Sequence, residues 1–297
     1  MNKILVTGST GQVGRKTLEL LLKVVPASQL VGLARDPGKA GDLAAKGIEI
    51  REGDYFDRES LVRALKGIDK LMLISAPAFT DRSTQHHNAI TVVRQTGVKH
   101  VVYTSIMRKA GSGLVMAEVT ESDLFTEKTL RASDLAYTIM YHPPFMDVMP
   151  NYTGVKALEV GVRVPAGSGK VAAATRDELA AANVAVLTQP GHENMSYSLG
   201  GNDAASFHDI AEILSDIGKK PVPHVVISEQ QYSANHVAAG LPPVVADFLT
   251  GWVVAINDGE YAEQTGDLER LIGRKTTTFR EYFRQFFFPK PEVAPQT

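Results

Sequence analysis

The chain has 297 residues, which at about 150 residues per domain predicts two structural units or one large α/β unit with an elaborated end. Its 31 Lys and Arg and 33 Asp and Glu give a formal net charge of −2 and are scattered, so neither nucleic acid nor an anionic membrane is an expected partner. The absence of cysteine excludes disulfides, thiolate nucleophiles and Cys-ligated metals, so a redox function would need an organic cofactor. No apolar run approaches membrane-spanning length or forms a signal peptide, which predicts a cytoplasmic protein.

The first half of the chain alternates short runs of branched apolar residues with helical patterns, which is typical of parallel βαβ units. The predicted strands cover residues 3–7, 30–34, 48–51, 70–74, 100–104 and 136–141. The predicted helices between them cover residues 13–25, 39–45, 60–65, 84–95 and 121–131. This alternation predicts an α/β fold of the Rossmann type, a doubly wound parallel sheet with helices on both faces.

A glycine-rich segment, Thr7-Gly8-Ser9-Thr10-Gly11-Gln12-Val13-Gly14, follows the first predicted strand and opens the first predicted helix. Glycines let the backbone approach a pyrophosphate, whose charge is stabilised by the N–H groups and dipole of the helix N-terminus. The pattern alone also fits an ordinary tight turn, but its position in a βαβ unit favours dinucleotide binding. The predicted cofactor contacts of this segment are Gly8, Thr10, Gly11, Gln12, Val13 and Gly14.

The end of the second predicted strand distinguishes NADPH from NADH. Arg35 stands where an arginine accommodates the 2′-phosphate, so NADPH is favoured, although the adjacent Asp36 weakens the attraction. The pair also fits a solvated turn. Further cofactor contacts are expected at the ends of the third and fourth strands, since ligands of open α/β sheets lie at the carboxyl ends of strands. These residues are Asp54, Tyr55, Ser75, Ala76 and Pro77, which alternatively form a turn before a helix and a strand terminus.

The alternation of strand and helix patterns ends at His142-Pro143-Pro144. The following Gly- and Pro-rich stretch to Asp177 is typical of loops over a binding cleft. Beyond it the sequence predicts strands at 194–199 and 222–228 and helices that begin near Thr175, Ser206, Pro242 and Thr278. We assign residues 1–150 to the NAD(P)-binding domain, with a return of 178–216 to the sheet. Residues 151–177 and 217–297 are assigned to a smaller C-terminal α/β domain that binds the substrate.

Several short motifs in order resemble the NmrA-like atypical short-chain dehydrogenase/reductases, especially the branch of triphenylmethane reductase and NAD(P)H:quinone oxidoreductase. They are the glycine-rich segment, Val25-Pro26-Ala27-Ser28-Gln29, Ala34-Arg35, Gly53-Asp54-Tyr55, Gly97-Val98-Lys99-His100, Thr126-Glu127-Lys128 and Gly191-His192-Glu193-Asn194. The resemblance covers nearly the whole chain. It implies a Rossmann domain with a small substrate domain, a preference for NADPH, and direct hydride transfer without flavin to quinones or to cationic or azo dyes.

The proton donor departs from the usual patterns of these reductases. The helix before the sixth strand has no Tyr-x-x-x-Lys, and the one such pair, Tyr152 and Lys156, lies after that strand. Asp123 occupies the position where the resembling family often has a catalytic Lys or His. An ionised carboxylate cannot donate a proton unless burial raises its pKa, and Asp123 also fits a capping box that starts at Thr120.

Four residues are candidates for the acceptor side of the reaction, namely Tyr103, Asp123, Tyr141 and His142. Tyr141 and His142 follow from the resemblance, which places the segment after the sixth strand against the nicotinamide; the family usually reads Arg-Asn there. His142 is either a proton donor or a hydrogen-bonding loop residue. A wall for a flat acceptor is expected from Phe79, Met107, Phe145, Met146, Met149 and Tyr152, each of which alternatively belongs to the core. The eight histidines show no metal-binding spacing.

These observations predict a flavin-free, metal-free NADPH-dependent reductase of a small electron-poor aromatic or quinonoid acceptor, present as a monomer or homodimer. One alternative is a redox-sensing regulator that binds NADP(H) without turnover, which fits the loss of the Lys position. A second alternative is a carbonyl or hydroxyl dehydrogenase that uses Tyr152 and Lys156.

Overall fold

A seven-stranded sheet forms the centre of the computed structural model, which describes residues 3–289. Its strand order is β3-β2-β1-β4-β5-β6-β8, and every pair is parallel. The strands are β1 (Ile4–Val6), β2 (Leu30–Ala34), β3 (Glu49–Glu52), β4 (Lys70–Leu73), β5 (His100–Ile106), β6 (Ala136–His142) and β8 (Met195–Ser198). The predicted Rossmann-type sheet is therefore confirmed. A separate two-stranded parallel sheet pairs β7 (Val162–Val164) with β9 (His224–Val226).

Thirteen α-helices are found in residues 3–289. They are α1 (Gln12–Leu21), α2 (Gly41–Ala45), α3 (Arg58–Leu65), α4 (Arg82–Thr96), α5 (Thr120–Arg131), α6 (Met149–Thr153), α7 (Ala157–Val160), α8 (Arg176–Thr188), α9 (Phe207–Gly218), α10 (Glu229–Ala238), α11 (Pro243–Asn257), α12 (Asp267–Ile272) and α13 (Phe279–Phe287). Capping boxes open α8, α9 and α13, as the sequence predicts. Helix α1 ends four residues before the predicted Val25, because the amides of Val24 and Val25 both turn back to the carbonyl of Leu21.

Two apolar clusters hold the helices on opposite faces of the large sheet. On one face, buried side chains of α1, α8 and α12 pack together, among them Leu18, Val186 and Leu268. On the other face, α3, α4 and α5 bury residues such as Leu61 and Val93. Buried side chains of these helices thus cover both faces, as a parallel sheet requires.

The second half of the chain contributes both to the large sheet and to the small one. Helix α8 packs on α1 and strand β8 extends the sheet beside β6, whereas α9 packs against β7 and α13. A third buried cluster fills the space between the small sheet and its helices, with Phe207, Phe279 and Phe283 among its members. Helices α9, α10, α11 and α13 therefore pack around the small sheet, whereas α12 packs on α8 at a face of the large sheet.

A buried carboxylate ties the C-terminal part of the chain to α8. Glu178 is 0% exposed. Its Oε2 accepts hydrogen bonds from the backbone and hydroxyl of Thr175 at 3.0 and 2.8 Å, and its Oε1 accepts from the backbone and hydroxyl of Thr277 at 2.6 and 2.8 Å. Arg274 Nη1 lies 3.3 Å from Oε1. Removal of the carboxylate would therefore leave all of these donors without their acceptor.

We expect Glu178→Gln to lower the free energy of unfolding by about 2–4 kcal/mol, because one amide N–H would face buried N–H and O–H donors. Urea denaturation followed by circular dichroism measures this change. Glu281→Gln is the matched control, since Glu281 forms the same kind of capping box at α13 but is exposed. It should cost less than about 1 kcal/mol, and equal losses in the two variants would refute the assignment.

Buried imidazoles make stability depend on pH, and three of them have strongly lowered pKa values. Burial lowers the pKa of His86 to about 3 and those of His100 and His142 to about 4. Below the ordinary pKa of about 6.5 the unfolded chain binds protons that the native chain does not, so the free energy of unfolding falls as the pH drops from 6.5 toward 4. Asp123 opposes this trend, because burial raises its pKa to about 6 and the native chain takes up that proton first.

Denaturation curves between pH 6.5 and 4.5 should show the free energy of unfolding falling by roughly 1–3 kcal/mol per pH unit. His100→Asn removes one of the three protons and should flatten this slope by about 1 kcal/mol per pH unit. His87→Asn changes an exposed histidine and should leave the slope as it is. A slope that is the same in all three proteins would contradict the expected dependence on buried histidines.

Candidate cofactor and active site

One continuous cleft of about 720 Å³ runs along the carboxyl ends of the strands, from the glycine-rich segment to helix α11. Most of the predicted site residues line it, as open α/β sheets lead us to expect. Those residues are Gly8, Thr10, Gly11, Gln12, Val13, Gly14, Arg35, Asp54, Tyr55, Ser75, Ala76, Pro77, Asp123, His142, Phe145 and Tyr152. The sheet therefore brings together in one cavity groups that lie far apart in the sequence.

The glycine-rich segment is tightly packed against the start of α1. Gly8 has a φ of +59°, and the amide of Gly11 donates to its carbonyl oxygen at 2.9 Å. A Cβ atom on Gly14 would lie 2.3 Å from the same carbonyl oxygen, so no side chain fits there. Gly11 is the N-cap of α1 and offers no side-chain cap to the first-turn amides. This geometry suits the diphosphate of a dinucleotide, which those amides can bind.

The adenosine end of the cleft lies at the end of β2. The Asp36 carboxylate accepts the amide of Gly38 at 3.0 Å and so caps a turn. Arg35 is exposed and lines the cleft, and its side chain forms no hydrogen bond or ion pair with any residue in the range 3–289. The Asp54 carboxylate accepts a hydrogen bond from the amide of Phe56 at 2.8 Å. This contact fits the alternative prediction, in which Asp54 belongs to a turn before a helix. Arg35 is thus the free cation at this end of the cleft.

The segment after β4 is held by a histidine that sequence reasoning considered only as a metal ligand. His86 Nε2 accepts the amide of Ala76 at 2.9 Å, and its Nδ1 lies 2.9 Å from Thr126 Oγ1. Since that hydroxyl donates its own proton to the carbonyl of Ser122, the imidazole is neutral with its proton on Nδ1. His86 therefore links the cleft wall at Ser75-Ala76-Pro77 to α5. The pairing of a histidine on α4 with a threonine on α5 has no local sequence signal.

Asp123 is buried in an ion pair beside the cleft. Its Oδ1 lies 2.6 Å from Arg82 Nη2 and accepts a hydrogen bond from the Tyr103 hydroxyl at 2.6 Å. Burial raises the pKa of Asp123 to about 6, while the guanidinium and the hydroxyl favour the ionised form. The pKa of Tyr103 is raised well above its usual value by burial and by the carboxylate. Arg82 was missed from the sequence because it lies 41 positions away on α4.

The capping box predicted for Asp123 is wrong. Helix α5 begins after Val119 without any side-chain cap, and the hydroxyl of Thr120 accepts the amide of Met116 at 2.8 Å instead. The Asp123 side chain turns toward the sheet because Arg82 and Tyr103 are the donors within reach. Tyr103 is completely buried behind Asp123, so the aspartate lines the cleft and the tyrosine does not.

Adjacent residues of β6 project to opposite sides, which separates Tyr141 from His142. Tyr141 donates to Glu127 Oε2 at 3.1 Å and lines a second cleft of about 620 Å³, as does Met107. His142 lines the cofactor cleft. Burial lowers its pKa to about 4, so it is a neutral imidazole at neutral pH, and its Nε2 has no hydrogen-bond partner among the described residues.

The apolar end of the cleft differs from the predicted wall. Phe145 and Tyr152 line it, whereas Met146 and Met149 lie fully buried in the core. Phe79 is exposed, and its ring centroid lies 5.1 Å from that of Phe248. Helix α11 supplies lining residues that the sequence analysis left without a role, namely Phe248, Leu249 and Trp252. The four-residue spacing of the two aromatic residues is the signal that could have indicated one helix face.

The Tyr-x-x-x-Lys pair is not held on one helix. Tyr152 belongs to α6, which ends at Thr153, and Gly154 then has a φ of +87°. Lys156 precedes α7 and is exposed. The lysine is therefore not placed one helical turn from the tyrosine.

Residues 3–289 contain neither a cluster of metal ligands nor a membrane-spanning helix. No group of three or more potential metal ligands comes together in this part of the chain. Within the same residues, every helix is too short or too polar to cross a membrane.

Comparison with known proteins identifies one family, and its relatives match nearly the whole chain. The NAD(P)H-binding family matches residues 8–190. Quinone oxidoreductase 2 of Escherichia coli K12 is 38% identical over 287 residues, which span 96% of this chain and 98% of that protein. An NAD(P)H azoreductase of Xenophilus azovorans is 29% identical over 280 residues, or 94% of this chain and 96% of the relative.

Solved structures of the same branch superimpose closely. The triphenylmethane reductase of Citrobacter sp. in complex with NADP(H) has a TM-score of 0.89 at 36% identity and covers 96% of this chain and 100% of its own. The NADPH-dependent quinone oxidoreductase of E. coli in complex with NADPH has a TM-score of 0.87 at 36% identity, with 96% and 99% covered. The resemblance inferred from short motifs is confirmed, and the chain belongs to the NAD(P)H-binding NmrA-like family, in the branch of quinone oxidoreductase 2 and triphenylmethane reductase.

Proposed function

We propose that this protein is an NADPH-dependent reductase of electron-poor aromatic or quinonoid acceptors and works without flavin or metal. The observation that carries the proposal is the single cleft that joins the glycine-rich segment and Arg35 to an aromatic end. The relatives named as quinone oxidoreductase and azoreductase, and the NADPH complex of the former, support it. NADPH, when bound, supplies a hydride, which together with one proton from water completes the two-electron reduction of a quinone to a hydroquinone.

The proposed binding of the cofactor uses three features of the chain. The first-turn amides of α1 and the missing side chain at Gly14 accommodate the diphosphate. Arg35 binds the 2′-phosphate, since its guanidinium is exposed and has no partner in the described part of the chain. His86 keeps the segment Ser75-Ala76-Pro77 against the ribose and nicotinamide by accepting the amide of Ala76.

On the acceptor side, the proposed role of the protein is alignment and exclusion of water. Tyr152, Phe248 and Trp252 offer flat apolar surfaces at one end of the cleft. Asp123 and His142 are the polar candidates there, with Tyr103 acting through Asp123 and Tyr141 facing the second cleft. We propose that the aspartate stays ionised at neutral pH and fixes Arg82, so water rather than a side chain protonates the product.

Several parts of the proposal rest on the sequence. We propose the division into an NAD(P)-binding domain of residues 1–150, to whose sheet residues 178–216 return, and a substrate domain of residues 151–177 and 217–297. A cytoplasmic location and a monomeric or homodimeric state also stay predictions. Among the alternatives, a regulator that binds NADP(H) without turnover fits the Asp123–Arg82 ion pair, which replaces a Lys or His donor. Against the dehydrogenase alternative, Lys156 lies outside the helix that carries Tyr152.

The proposed activity is tested by NADPH oxidation with a naphthoquinone, a triphenylmethane dye and an azo dye. We expect the purified protein to accelerate the loss of nicotinamide absorbance with at least one acceptor, and Phe248→Ala to lower kcat/KM about ten-fold by removing an aromatic wall. Val244→Ala, an exposed residue at the start of the same helix, serves as the control. Binding of NADPH without reduction of any acceptor would favour the regulator.

The proposed role of Arg35 predicts a change in cofactor selectivity. Arg35→Gln should raise the Kd for NADPH about ten- to hundred-fold, because a charge-assisted contact to the 2′-phosphate is lost. The Kd for NADH should change less than about two-fold, since NADH has no 2′-phosphate. Isothermal titration calorimetry with both cofactors measures the two constants, and an equal effect on both would show that Arg35 does not read the 2′-phosphate.

A further inference from the structure

We propose that Arg176, the first residue of α8, binds the diphosphate of the dinucleotide from the side opposite the glycine-rich segment. The inference rests on the proposed function, since it assumes that a dinucleotide occupies the cleft. It adds a cofactor contact from a part of the chain beyond the sixth strand, where the sequence predicts only a helix cap. Arg176 and residues Gly11 to Gly14 line the same cleft.

The packing of α8 against α1 places Arg176 near the expected diphosphate. Lys16 on α1 forms an ion pair with Asp177, its Nζ lying 2.8 Å from Oδ2. Nearly two turns further along α8, Asn183 Nδ2 donates to Thr17 Oγ1 at 3.3 Å. These two contacts hold the first half of α8 beside the second turn of α1, and Arg176 directly precedes the residue that makes the ion pair.

The charges around the glycine-rich segment leave a diphosphate incompletely neutralised without Arg176. Residues Thr7 to Gly14 include no basic side chain. The next two basic residues already have partners, because Arg15 pairs with Asp42 and Lys16 with Asp177. A helix N-terminus contributes only about half a positive charge, whereas a diphosphate carries about two negative charges. A further cation is therefore expected near this segment.

The surroundings of Arg176 leave its guanidinium available for an anion. Its Cζ lies 4.4 Å from the centre of the Phe145 ring, which supports the planar group on one face. Oδ2 of Asp147 accepts a hydrogen bond from the backbone amide of Arg176 at 2.8 Å. The Nη1 atom of the Arg176 guanidinium lies farther from the same oxygen, at 3.7 Å. No guanidinium hydrogen bond of Arg176 is found within residues 3–289.

Partial burial of this cation also favours an added anion. The side chain of Arg176 is 22% exposed, and burial lowers its pKa although Asp147 opposes the shift. The charged form thus lacks full compensation, which phosphate oxygens would supply through the bidentate geometry that arginine prefers. Of the other two cleft-lining arginines, Arg82 is paired with Asp123 and Arg35 lies at the adenosine end.

The test is a titration of the protein with NADPH and with NADH, followed by the fluorescence of Trp252. Trp252 is the one tryptophan of the chain and lines the cleft. Arg176→Gln should raise the Kd values of both cofactors by the same factor, about ten- to hundred-fold, because both contain the diphosphate. Arg176→Lys should give a smaller rise, because the charge is kept and the bidentate geometry is lost.

Two comparison variants separate this effect from other effects of charge. Arg35→Gln should weaken NADPH alone, which distinguishes the 2′-phosphate from the diphosphate. Arg163→Gln removes the same charge from an exposed position on β7 and should leave both Kd values unchanged. The thermal unfolding midpoint of each variant shows that the variants compared are folded.

Three outcomes would overturn the proposal. Arg176→Gln could bind both cofactors as the unmodified protein does, or weaken only one of them. It could also keep cofactor binding but raise KM for a sulfonated naphthoquinone and not for the neutral parent, which would assign Arg176 to the acceptor. If the unmodified protein itself binds no NADPH, the proposed function fails as well, so that failure is distinguishable from a failure of Arg176 alone.

Discussion

The contact between the start of α1 and the carbonyl of Gly8 is the constraint on which the site depends. Because no Cβ fits at Gly14, the helix begins directly above the end of β1 and presents its uncapped N-terminus to the cleft. Strand β1 lies between β2 and β4, at the point where the strand order reverses. Such a switch point opens a crevice between the flanking connections, and the cleft follows from this topology.

Buried polar groups give the opposite wall of the cleft a fixed shape. The His86 imidazole and the Asp123 carboxylate both lie between the sheet and helices α4 and α5, and each is hydrogen-bonded to elements distant in sequence. A neutral imidazole that accepts one backbone amide cannot shift without leaving that amide unpaired. The wall is therefore defined by hydrogen bonds as much as by apolar packing, which favours a preorganised cofactor site over one that forms on binding.

Local signals in the sequence were sufficient for the sheet and for the glycine-rich segment. Strand periodicity and helix caps depend on neighbouring residues, so the six strands and the capping boxes at Thr175 and Thr278 could be predicted. The acceptor end of the cleft could not be predicted in this way, because the residues that form it are brought together only by the fold. Trp252 reaches the cleft through the packing of α11, and Asp123 pairs with an arginine on another helix. The alternation along β6 was available from the sequence, and it would have separated Tyr141 from His142.

Phe79, at the rim of the cleft, has a backbone conformation that is unfavourable for a bulky residue. A bulky residue with a φ of +64° is in the left-handed region, which costs on the order of 1–3 kcal/mol. The edge-to-face contact with Phe248 offsets part of that cost and connects the segment after β4 to α11. The loop at the rim thus has a strained backbone at Phe79, and an aromatic contact joins it to α11. Separation of the two rings would let this loop relax toward an ordinary backbone conformation, so widening of the rim costs less free energy than the ring contact alone implies.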